Sequence, residues 1–130
     1  MADFILFNEG APRLLDSGFS GASACVFDLC TKKVSEYTAA TKYSERAAAT
    51  GTGYTQKTQT APAASGGSKT FSEIEWSTGS ATNWPSNCAS VCLSIEGKLV
   101  AAWNLQAGGA ARAMNAASTT EKFTPTFTIA

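Results

Sequence analysis

The sequence predicts an all-β fold: a mainly antiparallel β-sandwich or barrel-like body of about seven strands, with one short N-terminal helix. Three observations carry this. The segment Lys122-Phe123-Thr124-Pro125-Thr126-Phe127-Thr128-Ile129 alternates apolar or Pro residues with threonine and polar ones. Successive strand residues point to opposite faces, so Phe123, Phe127 and Ile129 are expected to share one face. Cys88 to Leu105 has the same period of two around Glu96-Gly97, a pair suited to a tight hairpin turn. Gly, Pro, Ser and Thr clusters punctuate the rest at short intervals, as in a chain of short strands.

The elements follow in order. Phe4 to Phe7 is a short apolar strand. Asn8 to Gly18 forms a brief helix or turn, with Pro12 in the first turn and Gly18 as the stop. Ala24 to Cys30 is a second strand, placing Cys25, Phe27 and Leu29 on one face and Val26, Asp28 and Cys30 on the other. From Thr31 to Thr52 the pattern weakens to isolated anchors, Val34, Tyr37 and Tyr43, with a helical turn allowed at Ser44 to Ala49. Gly53 to Thr58 resumes strand-like alternation. Thr60 to Lys69 has the composition of a loop. Phe71 to Trp76 is a strand with Ile74 and Trp76 inward and Glu73 and Glu75 outward. Ser77 to Pro85 is another loop, and then comes the hairpin, whose return strand alternates Leu99, Ala101, Trp103 and Leu105. Neither side of the Thr60–Lys69 loop is long enough to fold well alone, so residues 1–130 are expected to make a single β-sandwich domain.

Composition narrows function. Charged residues make up 15% of the chain and the formal net charge is +0, against about 25% charged in an ordinary soluble domain. A neutral surface of small polar residues repels copies of itself weakly. Lys and Arg are scattered, with Lys32-Lys33 the only adjacent pair, so nucleic acid is not an expected partner. That pair reads as a solvated turn after a strand. No stretch approaches the roughly 18 apolar residues of a membrane span. Met1 to Phe7 lacks the basic leader and long apolar region of a signal peptide, so cytoplasmic synthesis without export is expected.

The case for catalysis is weak. The chain contains no histidine, which removes the commonest acid/base group near neutral pH and the Ser-His-Asp and Cys-His arrangements. Glu73 and Glu75 could lie about 7 Å apart on one strand face, a spacing that overlaps inverting glycosidases, but such enzymes set their carboxylates on opposing walls of a cleft. They are expected to be a solvated strand face. No phosphate loop occurs around Gly51-x-Gly53 or Gly66-Gly67. The chain is therefore expected not to be an enzyme and to need no cofactor.

Four cysteines occur, Cys25, Cys30, Cys88 and Cys92. Cys88-x3-Cys92 has the gap of a zinc ligand pair but sits in strand-like sequence, so no metal site is expected. If Cys88 and Cys92 share a strand face they lie roughly 13 Å apart, too far for a disulfide between them. Cys25 and Cys30 face opposite ways. Free thiols and a bridge between the two pairs both remain open. Trp76 and Trp103 belong to the core. Trp84, before Pro85, is the tryptophan best placed for a surface, with a lid over one end of the core as the plainer assignment.

The order of these motifs resembles a set of small tailed-bacteriophage virion proteins, variously head decoration, head fibre or tail-fibre-like. The likeness runs over nearly the whole chain. It rests on the segment Asn8 through Leu15 with its Leu-Leu pair, a strand, and a variable region ending in Gly53-Tyr54. Trp84-Pro85 before the hairpin, Trp103-Asn104-Leu105 on its return strand, and a last strand carrying Phe127 and Ile129 complete it. The chain departs from that pattern at Thr55-Gln56-Lys57, where relatives more often carry an Arg, and in its four cysteines.

The resemblance implies a structural virion component, made in the host cytoplasm. The leading expectation is a capsid decoration (cement) protein that binds the assembled shell and bridges neighbouring subunits of the major capsid protein. It would also associate with itself as a homo-oligomer, a trimer being one form. Phe4, Ile5, Leu6 and Phe7, with Trp84 and Pro85, are the expected contact residues, and the Thr60–Lys69 loop is a further region. One alternative is a tail-fibre-associated or minor tail protein. Another is a carbohydrate-binding module using Trp84 with Tyr37, Tyr43 or Tyr54.

Overall fold

In the computed structural model, which describes residues 3–10, 25–60 and 68–128, β-strands pair only in antiparallel fashion. Nine strands occur among these residues: β1 (Phe4–Leu6), β2 (Cys25–Cys30), β3 (Lys57–Gln59), β4 (Ser68–Thr70), β5 (Ile74–Ser77), β6 (Ser90–Ile95), β7 (Lys98–Asn104), β8 (Thr120–Phe123) and β9 (Thr126–Thr128). The all-β expectation holds. Asn8 to Gly10 form a turn; the rest of the expected N-terminal helix, from Ala11 to Gly18, lies outside the described residues.

A five-stranded sheet in the order β1-β7-β6-β2-β3 forms the centre. Its spine is the β6–β7 hairpin. Ile95 pairs with Lys98 across Glu96-Gly97, and both turn residues have positive φ, 55° and 75°. That is the geometry a two-residue hairpin turn needs to match strand twist, and it explains the glycine. The hairpin carries a bulge: Leu93 faces Ala101 but Ser94 faces Leu99, so Val100 is the extra residue. The expected single face of Leu99, Ala101 and Trp103 is corrected by it. Ala101 and Trp103 join one core and Leu99 the other.

Both faces of the sheet are covered, and every residue of β6 is buried. On the first face lie Phe27, Leu29, Val91, Leu93 and Trp103. Two ribbons, β5–β8 and β4–β9, cover it. Phe71 meets Phe27 edge-on at 5.0 Å, and Phe123 lies 6.1 Å from Trp103. The second layer of the sandwich is thus a pair of two-stranded ribbons. The terminal alternation is not one strand. Thr124-Pro125 interrupts it, with Pro125 buried and its carbonyl accepting from the Phe71 amide at 2.9 Å. β8 then pairs with β5, and β9 with β4. Proline lacks the amide a continuous ladder needs, which is the physical reason for the break. Of the expected loop Thr60–Lys69, Ser68 and Lys69 instead begin β4, and residues 61–67 lie outside the described residues.

The second face is covered by the first part of the connection after β2, Thr31 to Tyr43, with two 3-10 turns in it, Val34–Glu36 and Tyr43–Glu45. Their sequences echo each other, Lys33-Val-Ser-Glu36 and Lys42-Tyr-Ser-Glu45. In each, the glutamate carboxylate accepts from the lysine amide three residues back, at 3.1 and 2.9 Å, which closes the turn against fraying. Phe7, Cys30, Val34, Tyr37, Cys92, Leu99 and Ala102 form the core beneath.

Glu9 ties this cover to the sheet. One carboxylate oxygen accepts from the Leu99 amide at 2.8 Å and the Tyr43 amide at 2.9 Å. The Leu99 bond and then the Tyr43 bond hold its acid below the ordinary value of 4.5. A depressed folded-state pKa means this stabilisation is present above 4.5 and is lost as pH falls through the folded value. Glu9→Gln should therefore lower the thermal midpoint at pH 7. The gap to the parent protein should close progressively below pH 4.5, as followed by circular dichroism melts across a pH series.

Candidate functional site

The expected contact residues part company in three dimensions. β1 forms one edge of the five-stranded sheet, with Phe4 opposite Trp103, Ile5 opposite Ala102 and Leu6 opposite Ala101. Strand alternation sends Phe4 to the first core, its ring 5.4 Å from Trp103, and Ile5 and Phe7 to the second. Phe7 is fully buried, edge-on to Tyr37 at 5.7 Å. Leu6 is 43% exposed and is the exposed large hydrophobic residue among those described. The segment therefore buries Phe7, half-buries Phe4 and Ile5, and presents Leu6 to solvent.

Trp84 is buried, at 4% exposure. Its Nε1 donates to the Thr52 carbonyl at 2.9 Å, and its ring meets Tyr54 edge-on at 5.1 Å. Gly51 lies against it so closely that a Cβ there would sit 2.5 Å from the indole Cδ1. Pro85 is half-buried, and its carbonyl accepts from the Met114 amide at 2.9 Å. Trp84 thus belongs to the first core, and its place as a surface residue is corrected. A polar indole nitrogen and a large apolar face are both satisfied by folding the Gly51–Tyr54 step over it. Tyr37 is buried as well, which removes two members of the stacking platform considered for sugars. Trp76 and Trp103 are core residues as expected. Trp103 donates to the Thr126 carbonyl at 3.1 Å, and Trp76 Nε1 has no hydrogen-bond partner among the described residues.

Glu73 precedes β5 and Glu75 lies on it, both exposed. Glu75 faces Lys122 across the ribbon with 3.8 Å between charges, both side chains more than half exposed. Such a pair contributes little to stability. The expected solvated strand face is what occurs. Lys32 and Lys33 fall in the turn after β2, with the Lys32 ammonium 5.9 Å above the Tyr37 ring.

Two side-chain clusters went unread in the sequence, both on the second face. The first centres on Asp28, buried in mid-β2. Asp28 Oδ2 accepts from Arg46 Nη2 at 3.1 Å and Nε at 3.3 Å, and Oδ1 accepts from the Tyr54 hydroxyl at 3.0 Å. Tyr54 Oη in turn accepts from the Leu29 amide at 2.8 Å. The Arg46 guanidinium lies 3.7 Å over the Tyr43 ring and donates to the Tyr43 carbonyl at 3.0 Å. Burial, with the Asp28 charge next, pushes the Tyr54 phenol well above its ordinary value. The phenol stays protonated and donates. Each acid and base in this cluster is occupied by a neighbour, so its chemistry is that of a clasp. The signal for it was an acid inside an apolar strand, Val-Phe-Asp28-Leu. Such a charge needs a partner, though sequence alone does not say which.

The second cluster is Cys30, Cys92 and Tyr37. The Cys30 thiol donates to Cys92 Sγ at 2.9 Å, and the Cys92 thiol donates to the Tyr37 hydroxyl at 3.6 Å. All four cysteines are buried. Cys25 and Cys30 lie in opposite cores, as the strand period required. Cys88 and Cys92 do so too, which corrects their expected shared face. β6 begins only at Ser90, and Cys88 bridges to Arg112 outside it. Burial pushes the Cys88 thiol up to about 11. Among the described residues, no group of three or more His, Cys, Asp or Glu side chains is placed to hold a metal ion, and no helix is long and apolar enough to cross a membrane.

No protein-family model, curated protein sequence or solved structure matches the chain.

Two substitutions test this account. Asp28→Asn leaves Arg46 without its charge partner. The pair is mostly buried, with side-chain exposures of 4% and 15%, so unfolding free energy should fall by about 2–4 kcal/mol in urea titrations. Gly51→Ala drives a methyl into the Trp84 ring and should cost about 1–3 kcal/mol. The red shift of tryptophan fluorescence on unfolding should then come at lower urea.

Proposed function

We propose that this chain is a structural assembly protein of a tailed-phage particle, acting as a capsid decoration (cement) protein. In this role it seats on the assembled shell and bridges neighbouring major capsid protein subunits. The observation that carries the reading is the β1 edge: a short strand at the rim of the sheet whose Leu6 stands 43% exposed while its neighbours anchor the strand in both cores. An edge strand packed into both cores and carrying one open apolar side chain is suited to docking. The acids and bases with the most buried positions are meanwhile consumed in clasps such as Asp28–Arg46. The order of sequence motifs supplies the phage context. Many modest contacts repeated over a lattice supply strength that a single small patch lacks.

Purified protein added to undecorated shells should saturate a fixed number of lattice sites. Leu6→Asp, at an exposed position, should fold normally and bind at least about tenfold more weakly, a loss of roughly 1.4 kcal/mol per site. No uptake at any concentration, or uptake indifferent to Leu6, overturns the assignment. Placement on the tail remains the competing reading, and mass spectrometry of separated heads and tails distinguishes the two. Burial of Trp84 removes the stacking residue on which the carbohydrate-binding alternative depends.

A further inference from the structure

The Cys30 and Cys92 sulfurs lie 2.9 Å apart, on adjacent strands and on the same face of the sheet. Cys92 pairs with Asp28 and Cys30 with Ser90, so the two cysteines are diagonal neighbours whose side chains turn toward each other. A disulfide has sulfurs about 2.05 Å apart, so bonding needs a movement of under about 1 Å. Cys25 and Cys88 belong to the core on the opposite face. Over the pair lies the first 3-10 turn, with Val34 and the Tyr37 that follows it. Opening so short a turn is a local event, far smaller than global unfolding.

We propose that Cys30 and Cys92 are a redox pair that a small peroxide converts into a buried cross-strand disulfide, locking β2 to β6. The Cys92 thiol is drawn below its ordinary value, chiefly by the hydrogen bond from Cys30, while burial pushes Cys30 well above. Cys92, whose sulfur accepts the hydrogen bond from Cys30, is the attacking group, since that bond favours the thiolate and the thiolate is the nucleophile. Its sulfur attacks one peroxide oxygen and the O–O bond breaks. The released oxygen takes up the Cys92 proton and leaves as water, and Cys92 becomes a sulfenic acid. The Cys30 sulfur then attacks Cys92 Sγ. The S–O bond breaks, and the departing hydroxide takes the Cys30 proton as a second water. Two thiols lose two electrons and two protons in all, and the peroxide is reduced to two waters. The inference rests on the geometry of the second core and is independent of what the protein assembles with.

The folded protein, reduced and then exposed to hydrogen peroxide, should keep two titratable thiols of its four cysteines after denaturation. Digestion without reductant should yield a Cys30–Cys92 linked peptide that dithiothreitol releases. The double variant Cys25→Ser/Cys88→Ser should give the same linked peptide, so the result does not depend on a Cys30 or Cys92 variant folding. The linked form should melt at least about 5 °C higher than the reduced form. Four surviving thiols, any other pairing, or oxidation of Cys92 to the sulfinic or sulfonic acid without a link overturns the proposal. A linked form that melts no higher than the reduced one overturns the locking role.

Discussion

A central sheet buried on both faces must obtain cover from two directions, and everything else in this structure answers that demand. β6 shows it best: Ser90, Cys92 and Ser94 are as enclosed as Val91, Leu93 and Ile95. Apolar cover is straightforward on the first face, where ribbons carrying Phe71, Ile74, Trp76 and Phe123 supply large side chains. The second face is covered by a long irregular connection. Such a segment has few ladder bonds of its own, and its backbone groups must find partners elsewhere.

The sheet provides those partners through a small set of polar pins. Ser90 Oγ donates to the Lys32 carbonyl at 2.6 Å. Asn104 Oδ1 accepts from the Val34 amide at 2.8 Å, and its Nδ2 donates to Asp3 at 2.9 Å. Asp28 holds Arg46 and Tyr54, and Glu9 holds Tyr43. Backbone bonds from Thr31 to Ala47 and from Ala49 to Leu29 complete the seam. A buried polar group left unpaired costs about 1–3 kcal/mol, so each pin favours one placement of the cover over its alternatives. That is why residues which resemble catalytic groups by type are spent here on architecture. It also leaves the sheet edge at Leu6 as the feature through which the protein meets a partner in the assembly reading.

The two thiols of the second core sit within this same arrangement. The Tyr37 ring and hydroxyl close over them, and the pins hold the turn that carries Tyr37. Access to the sulfurs is consequently tied to opening of the cover, and a bond between them would join the two strands on which Asp28 and Ser90 stand.

Period-two alternation and turn chemistry made much of the fold legible. The strand faces of β2, the Glu96-Gly97 turn, the inward Ile74 and Trp76, and the core places of Trp76 and Trp103 are local consequences of side-chain direction and positive φ. These are determined by the sequence itself, because a strand has only two faces and a two-residue turn few conformations. Local pattern does not reach the bulge at Val100, the break at Thr124-Pro125 that sends β8 and β9 to different partners, or the burial of Trp84. Nor does it reach the company Asp28 and Cys92 keep. Each of these depends on a contact between residues distant in the chain: Gly51 on Trp84, Arg46 on Asp28, Cys30 beside Cys92. Only the tertiary structure decides them, since a side chain's surroundings are set by what the fold brings to it.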